Sequence, residues 1–166
     1  GDQLTFQGNA SWLACYTTCL PTYDQLEITI PVENESKIDE RWHSYFQDFL
    51  KEQPINPPVD WLSLCNAKIR KDKKEEKEFV IFKFPWDESG PPPTFRFFGE
   101  GRFIRSNIFQ IPQKHAGANG RELLEISMEL SYWRDPKQGQ LKGLLYRADG
   151  WPSTNSKFYK ISVPIM

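Results

Sequence analysis

Leu124-Glu125-Ile126-Ser127-Met128-Glu129-Leu130-Ser131-Tyr132 decides the fold class. Apolar and polar side chains alternate without a break. Side chains on an extended chain point to opposite faces in turn, so this stretch reads as a strand with one buried and one wet face. The same period recurs upstream, where Leu26, Ile28, Ile30 and Val32 alternate with Gln25, Glu27 and Thr29. Pro31 has no N–H to give a ladder, which places that strand at a sheet edge or at its exit. Further strands are expected over Trp61 to Ile69, Phe79 to Phe84, Thr94 to Phe98, Arg102 to Ile111, Leu141 to Arg147 and Phe158 to Val163. Gly99-Glu100-Gly101, Asp135-Pro136 and Asp149-Gly150 mark turns between them. Ser11 to Leu20 reads equally as a short helix or a strand.

One segment carries the helical period instead. Ile38, Trp42, Tyr45, Phe46, Phe49 and Leu50 recur at steps of three and four, Ser36 is placed to cap, and Asp39 and Glu40 suit the positive end of the helix dipole. Pro54 lies past the end. The apolar stripe of this helix is expected to pack on a sheet. Together these signals predict a mainly β, α+β chain of about seven or eight strands: an antiparallel β-sandwich or partly closed barrel, jelly-roll-like or calycin-like, with one amphipathic helix near residues 36–52. A single domain over residues 1–166 is expected, and the missing βαβ alternation counts against a nucleotide-binding α/β fold.

Charge is segregated along this chain. Residues 1–60 hold ten acidic and three basic side chains, a net of −7, while residues 61–166 hold twelve acidic and eighteen basic ones, a net of +6. Such asymmetry bears on partners rather than chemistry. An acidic block covering a basic one within the same chain is its simplest expected meaning. Arg70-Lys71-Asp72-Lys73-Lys74-Glu75-Glu76-Lys77 mixes both signs and reads as a solvated hairpin end. No apolar run reaches the ~18 residues of a membrane span. Gly1-Asp2-Gln3-Leu4 has neither a basic n-region nor a signal-type apolar stretch, and a Gly start fits a processed chain, an excised domain or a tag-cleaved product. Cys15, Cys19 and Cys65 make no even framework and are expected as free thiols in a reducing compartment. With no paired C-x-x-C and only His43 and His115 as imidazoles, no metal and no cofactor is expected.

Chemical motifs are missing. There is no G-x-S-x-G elbow, no H-E-x-x-H and no Cys with a recognisable His partner, so the reading leans away from an enzyme. The most suggestive stretch interleaves Arg96, Arg102 and Arg105 with Phe95, Phe97, Phe98, Phe103 and Phe109. Alternation puts Phe103, Arg105 and Phe109 on one face, where aromatics beside arginines suit stacked bases and phosphates. His115 and Arg121 sit in a glycine-bearing loop over Pro112 to Gly120, where a binding or acid–base group can live. Trp86 and Trp151 border turns and are expected at loop rims. The leading expectation is a non-enzymatic β-rich module acting through a protein interface, by self-association or with a protein partner, or through an enclosed apolar ligand site. Alternatives are a single-stranded nucleic-acid binder using the Arg/Phe face, a capsid-like jelly-roll subunit, and an enzyme built on the His115 loop.

Overall fold

The computed structural model describes residues 2–15, 18–35, 37–117, 120–152, 154 and 156–166. Among the described residues the fold is mostly β, with nine strands in antiparallel sheets and two helices. It divides into two compact units, Gly1–His43 and Ser44–Met166.

The first unit is a long hairpin. Strands β1 (Gln3–Cys15) and β2 (Cys19–Pro31) pair antiparallel, with Leu4 opposite Ile30, Phe6 opposite Ile28 and Gly8 opposite Leu26. In the ambiguous Ser11-to-Leu20 stretch, where Tyr16 and Thr17 lie outside the described residues, residues 11–15 and 19–20 are thus strand at the closed end of this hairpin. Pro31 ends an edge strand as expected. Cys15 and Cys19 face each other in the register, 4.1 Å apart at Cα, and form a disulfide. That corrects the expectation of three free thiols: in sequence the two cysteines are merely four apart, and only the hairpin brings their sulfurs together. Cys65 remains a free thiol, donating to the Trp61 carbonyl.

Helix α1 spans Glu40–Lys51. Ser36, the expected cap, lies outside the described residues. Asp39 fills that role, its Oδ1 accepting the Arg41 N–H at 3.0 Å and satisfying one of the orphan donors of the first turn. The Arg41 guanidinium on the same carboxylate holds Asp39 below its ordinary range. The apolar stripe has the expected spacing but not the expected packing. No residue of α1 is buried, and Trp42, Tyr45, Phe46, Phe49 and Leu50 are all exposed.

The second unit is a sandwich of two sheets. Helix α2 (Val59–Ser63) leads into β3 (Asn66–Asp72), β4 (Lys77–Pro85), β5 (Phe95–Gly99), β6 (Gln113–Ala116), β7 (Glu122–Glu129), β8 (Gln140–Arg147) and β9 (Phe158–Pro164). One sheet has the order β3-β4-β7-β6 and the other β5-β8-β9. The expected strand at Trp61 therefore begins as a helical turn, and the expected 112–120 loop contains a short edge strand, with Ala118 and Asn119 outside the described residues. The inward set of β7 is Leu124, Ile126 and Met128, as its alternation demands. They meet a dense aromatic layer in which Phe82 lies 5.7 Å from Phe97 and Phe84 lies 5.2 Å from Phe95. Bridges Ala67–Ile165 and Ile104–Leu130 tie the sheets together at their margins, so the sandwich is partly closed.

Backbone geometry around β5 fixes the outer surface of its sheet. Gly143, in the middle of β8, is required by close approach: a Cβ there would sit 2.1 Å from the Phe98 carbonyl oxygen and 2.7 Å from the Phe97 ring. The expected strand over Arg102 to Ile111 does not form. Gly101 and Arg102 take positive φ, and Phe103 and Ile104 are both buried, which no alternating strand allows. Only Ile104 bridges to a neighbour, while the Gln110 side chain accepts from the Phe97 N–H at 2.6 Å and donates to the Phe97 carbonyl at 2.9 Å. A side-chain amide thus replaces the missing strand along the edge of β5.

Candidate interaction surfaces

The residues singled out from sequence are dispersed. Phe103 is in the core, and Arg102 is exposed in the turn after β5. Arg105 pairs with Glu129 at 2.7 Å and lines a cleft of about 580 Å³ beside the exposed Tyr132 and Trp133. Phe109 is 95% exposed and shares a cleft of about 140 Å³ with Arg96. The single aromatic–arginine face expected over 103–109 is therefore corrected, because it needed a strand that the chain does not make. His115 is on β6, its Nε2 3.5 Å from a Glu125 carboxylate oxygen that Lys83 also approaches at 3.0 Å. Arg121 reaches toward Asp87 at 3.8 Å.

Trp86 and Trp151 come together, but inside the protein rather than at a rim. Both are buried, and both ring faces flank the guanidinium of Arg147, at 5.3 and 5.7 Å, with Phe95 as a third wall at 6.0 Å. Arg147 binds Glu88 through two nitrogens, at 2.6 and 2.8 Å, and Asp149 through Nε at 2.7 Å. This bidentate pairing neutralises a nearly buried cation and pins the 85–95 connection to β8. The arginine in turn holds Asp149 below its ordinary carboxylate range, chiefly by hydrogen bonding. Burial pushes the Cys65 thiol up to about 12.

Two continuous surfaces emerge that the sequence did not assemble. The first is the apolar face of the hairpin. The register β1–β2 places Leu4, Phe6 and Trp12 with Leu20, Leu26, Ile28 and Ile30 on one side, all exposed. The other side is mostly polar and cross-bonded, with Thr5 to Thr29 at 2.8 Å and Gln7 to Glu27 at 2.7 Å, and turns apolar only toward the closed end at Leu13 and Tyr23. Period-2 alternation was legible for Leu26 to Ile30, but Leu4, Phe6 and Trp12 join them only through the pairing.

The second surface is the outward face of β5-β8-β9. One row across it reads Arg96, Tyr146, Phe158 and the next reads Phe98, Leu144, Lys160, with Lys142 following on β8. Tyr146 and Phe158 have ring centroids 5.2 Å apart, Phe98 and Phe158 6.5 Å, and the Arg96 guanidinium lies 5.4 Å over Phe98. Phe98, Arg96, Lys142 and Lys160 are exposed, and Leu144, Tyr146 and Phe158 are half-buried. None of the three strands contains an Asp or a Glu.

Among the described residues no three His, Cys, Asp or Glu side chains converge on a possible metal ion, and no helix is long and apolar enough to cross a membrane. The class these features define is a β-sandwich unit accompanied by an amphipathic β-hairpin. The chain matches no family model, no curated protein sequence and no solved structure.

Proposed function

We propose that this chain is a non-enzymatic assembly module that acts through a protein interface, with the apolar face of the β1–β2 hairpin seated against the same face of a second copy. The observation that carries this reading is the one-sided register of the hairpin, which gathers seven large apolar side chains on one exposed face. A two-stranded ribbon alone is marginal in water, so burying one face is what makes it durable. Phe6 and Trp12 carry roughly 150–250 Å² each and the five Leu and Ile side chains somewhat less, so at about half exposure the seven offer on the order of 600 Å². A stable interface needs about 800 Å² per partner, and the patch approaches that. The only charge on this face is Asp24, opposite Ala10, so two copies meet with little buried charge.

The test is sedimentation velocity across a wide concentration range, repeated with Phe6→Glu and Ile28→Glu. A reversible oligomer that strengthens with salt and disappears in both variants is expected, because salt screens the acidic surroundings while leaving apolar burial intact. A monomer at every concentration, or an oligomer indifferent to both substitutions, overturns the reading.

A further inference from the structure

We infer that the outward face of β5-β8-β9 is a binding platform for single-stranded nucleic acid. The inference stands apart from the hairpin and rests on three features of the second unit. The first is ring placement. Phe98, Tyr146 and Phe158 come from three adjacent strands and form one cluster on the outer side of the sheet, with Phe158 tilted by 48° to Phe98 and by 47° to Tyr146, so each ring offers a separate surface to an unpaired base. The second is charge. Arg96, Lys142 and Lys160 share the face with the rings, and the three strands carry no carboxylate, although Glu100, just past β5, borders the Lys142 end with its N–H on the Lys142 carbonyl. The third is availability. Neither Lys142 nor Lys160 forms an ion pair among the described residues, a freedom they share with Lys68, Lys71 and Lys157 among others, whereas Lys77, Lys83, Lys114, Arg105 and Arg134 are committed to carboxylates.

The alternative occupant, an acidic peptide, matches the cations equally well but leaves the rings without a role. A duplex offers phosphates but keeps its bases stacked and out of reach of a flat sheet. An unpaired strand uses both halves of the surface: bases lie on Phe98, Tyr146 and Phe158 while phosphates meet Arg96, Lys142 and Lys160. Arg96 donates from Nη2 to the Ser106 carbonyl at 2.5 Å and its guanidinium carbon lies 5.4 Å from the Phe98 centroid, so a base stacking on that ring displaces it toward the phosphates.

The experiment is fluorescence anisotropy of the full chain with a labelled single-stranded oligo-dT at low salt, with the matched duplex and polyglutamate as competitors. Expected is binding that falls with salt at a log–log slope of about −2, since each of about three phosphate contacts contributes roughly −0.7. The double variant Lys142→Glu/Lys160→Glu should weaken binding more than about tenfold. Phe98→Leu should weaken it about fivefold or more while Phe98→Tyr retains it, because only the ring stacks. Unchanged thermal unfolding of each variant confirms that the sheet is intact. No binding at low salt overturns the inference, and so does binding indifferent to the lysine reversals. Displacement by polyglutamate as effective as by the oligonucleotide, with no loss in Phe98→Leu, also overturns it and identifies an acidic protein partner instead.

Discussion

The hairpin and the β5-β8-β9 face are both sheet surfaces with apolar side chains in contact with solvent, yet they are built oppositely. The hairpin face is almost purely aliphatic and aromatic, lies in the stretch of net charge −7, and belongs to a ribbon whose every strand is an edge. The sandwich face mixes rings with cations, lies in the stretch of net charge +6, and is backed by a closed core. An apolar face without charge gains only by excluding water, so its natural occupant is another apolar face. A ring surface fringed by cations gains by stacking and by counterion release, which suits an anionic polymer. Salt therefore separates the two in one measurement: it is expected to strengthen hairpin association and to weaken binding at the sandwich face.

The difference extends to stability. Phe82 is fully buried between the sheets, and Phe82→Ala is expected to cost about 3–5 kcal/mol, whereas Phe6→Ala on the exposed ribbon should change the monomer by no more than about 0.5 kcal/mol. Chemical denaturation read by tryptophan fluorescence checks both, and similar losses at the two positions would break the contrast. Next in size is Gly143→Ala, which drives a methyl group into the Phe98 carbonyl and the Phe97 ring. Overpacking of that kind is expected to cost about 1–3 kcal/mol, visible as a lowered denaturation midpoint at unchanged slope. Because Phe98 is displaced with its carbonyl, the same variant should also weaken the sandwich-face interaction while leaving self-association intact.

The smallest effect concerns sulfur. Cys15 and Cys19 are exposed and bonded, whereas Cys65 is a half-buried thiol pushed up to about 12. After mild reduction at pH 8, alkylation should label Cys15 and Cys19 and spare Cys65, as peptide mapping would reveal. The folded pKa of Cys65 is raised above its ordinary value of 9.0, so the native state holds the proton longer than the unfolded one. Its contribution is fully present below pH 9 and is lost as pH climbs from 9 toward 12. Stability that stays flat over that window would show that the Cys65 thiol is open to water.

The strand set was readable where burial is one-sided. Leu141 to Arg147 and Phe158 to Val163 match β8 and β9 closely, and Leu124 to Glu129 falls within β7, because period 2 is imposed by the backbone itself. The expected continuation to Tyr132 fails, with Ser131 buried and Tyr132 exposed. Trp61 misled because the short apolar run Trp61, Leu62 and Leu64 suits a helical turn as well as the start of a strand. The stretch after Arg102 misled because alternation by chance resembles alternation by pairing. The candidate face was partly visible in Arg96 and Phe98. Its other members, Lys142, Tyr146, Phe158 and Lys160, lie on strands that were recognised but whose adjacency to β5 was not, since strand order is set by long-range pairing.

By itself the amino-acid sequence determined the mainly antiparallel β class, the α1 helix and the segregation of charge, all of which arise from local periodicity and composition. The tertiary structure decided which alternating faces turn inward, and with that the burial of Trp86, Trp151 and Arg147 in one cage, the exposure of the α1 stripe and the meeting of Cys15 with Cys19. The reason is physical: periodicity is a property of one segment, whereas burial, register and a shared surface belong to pairs of segments, and those pairs exist only once the chain has folded.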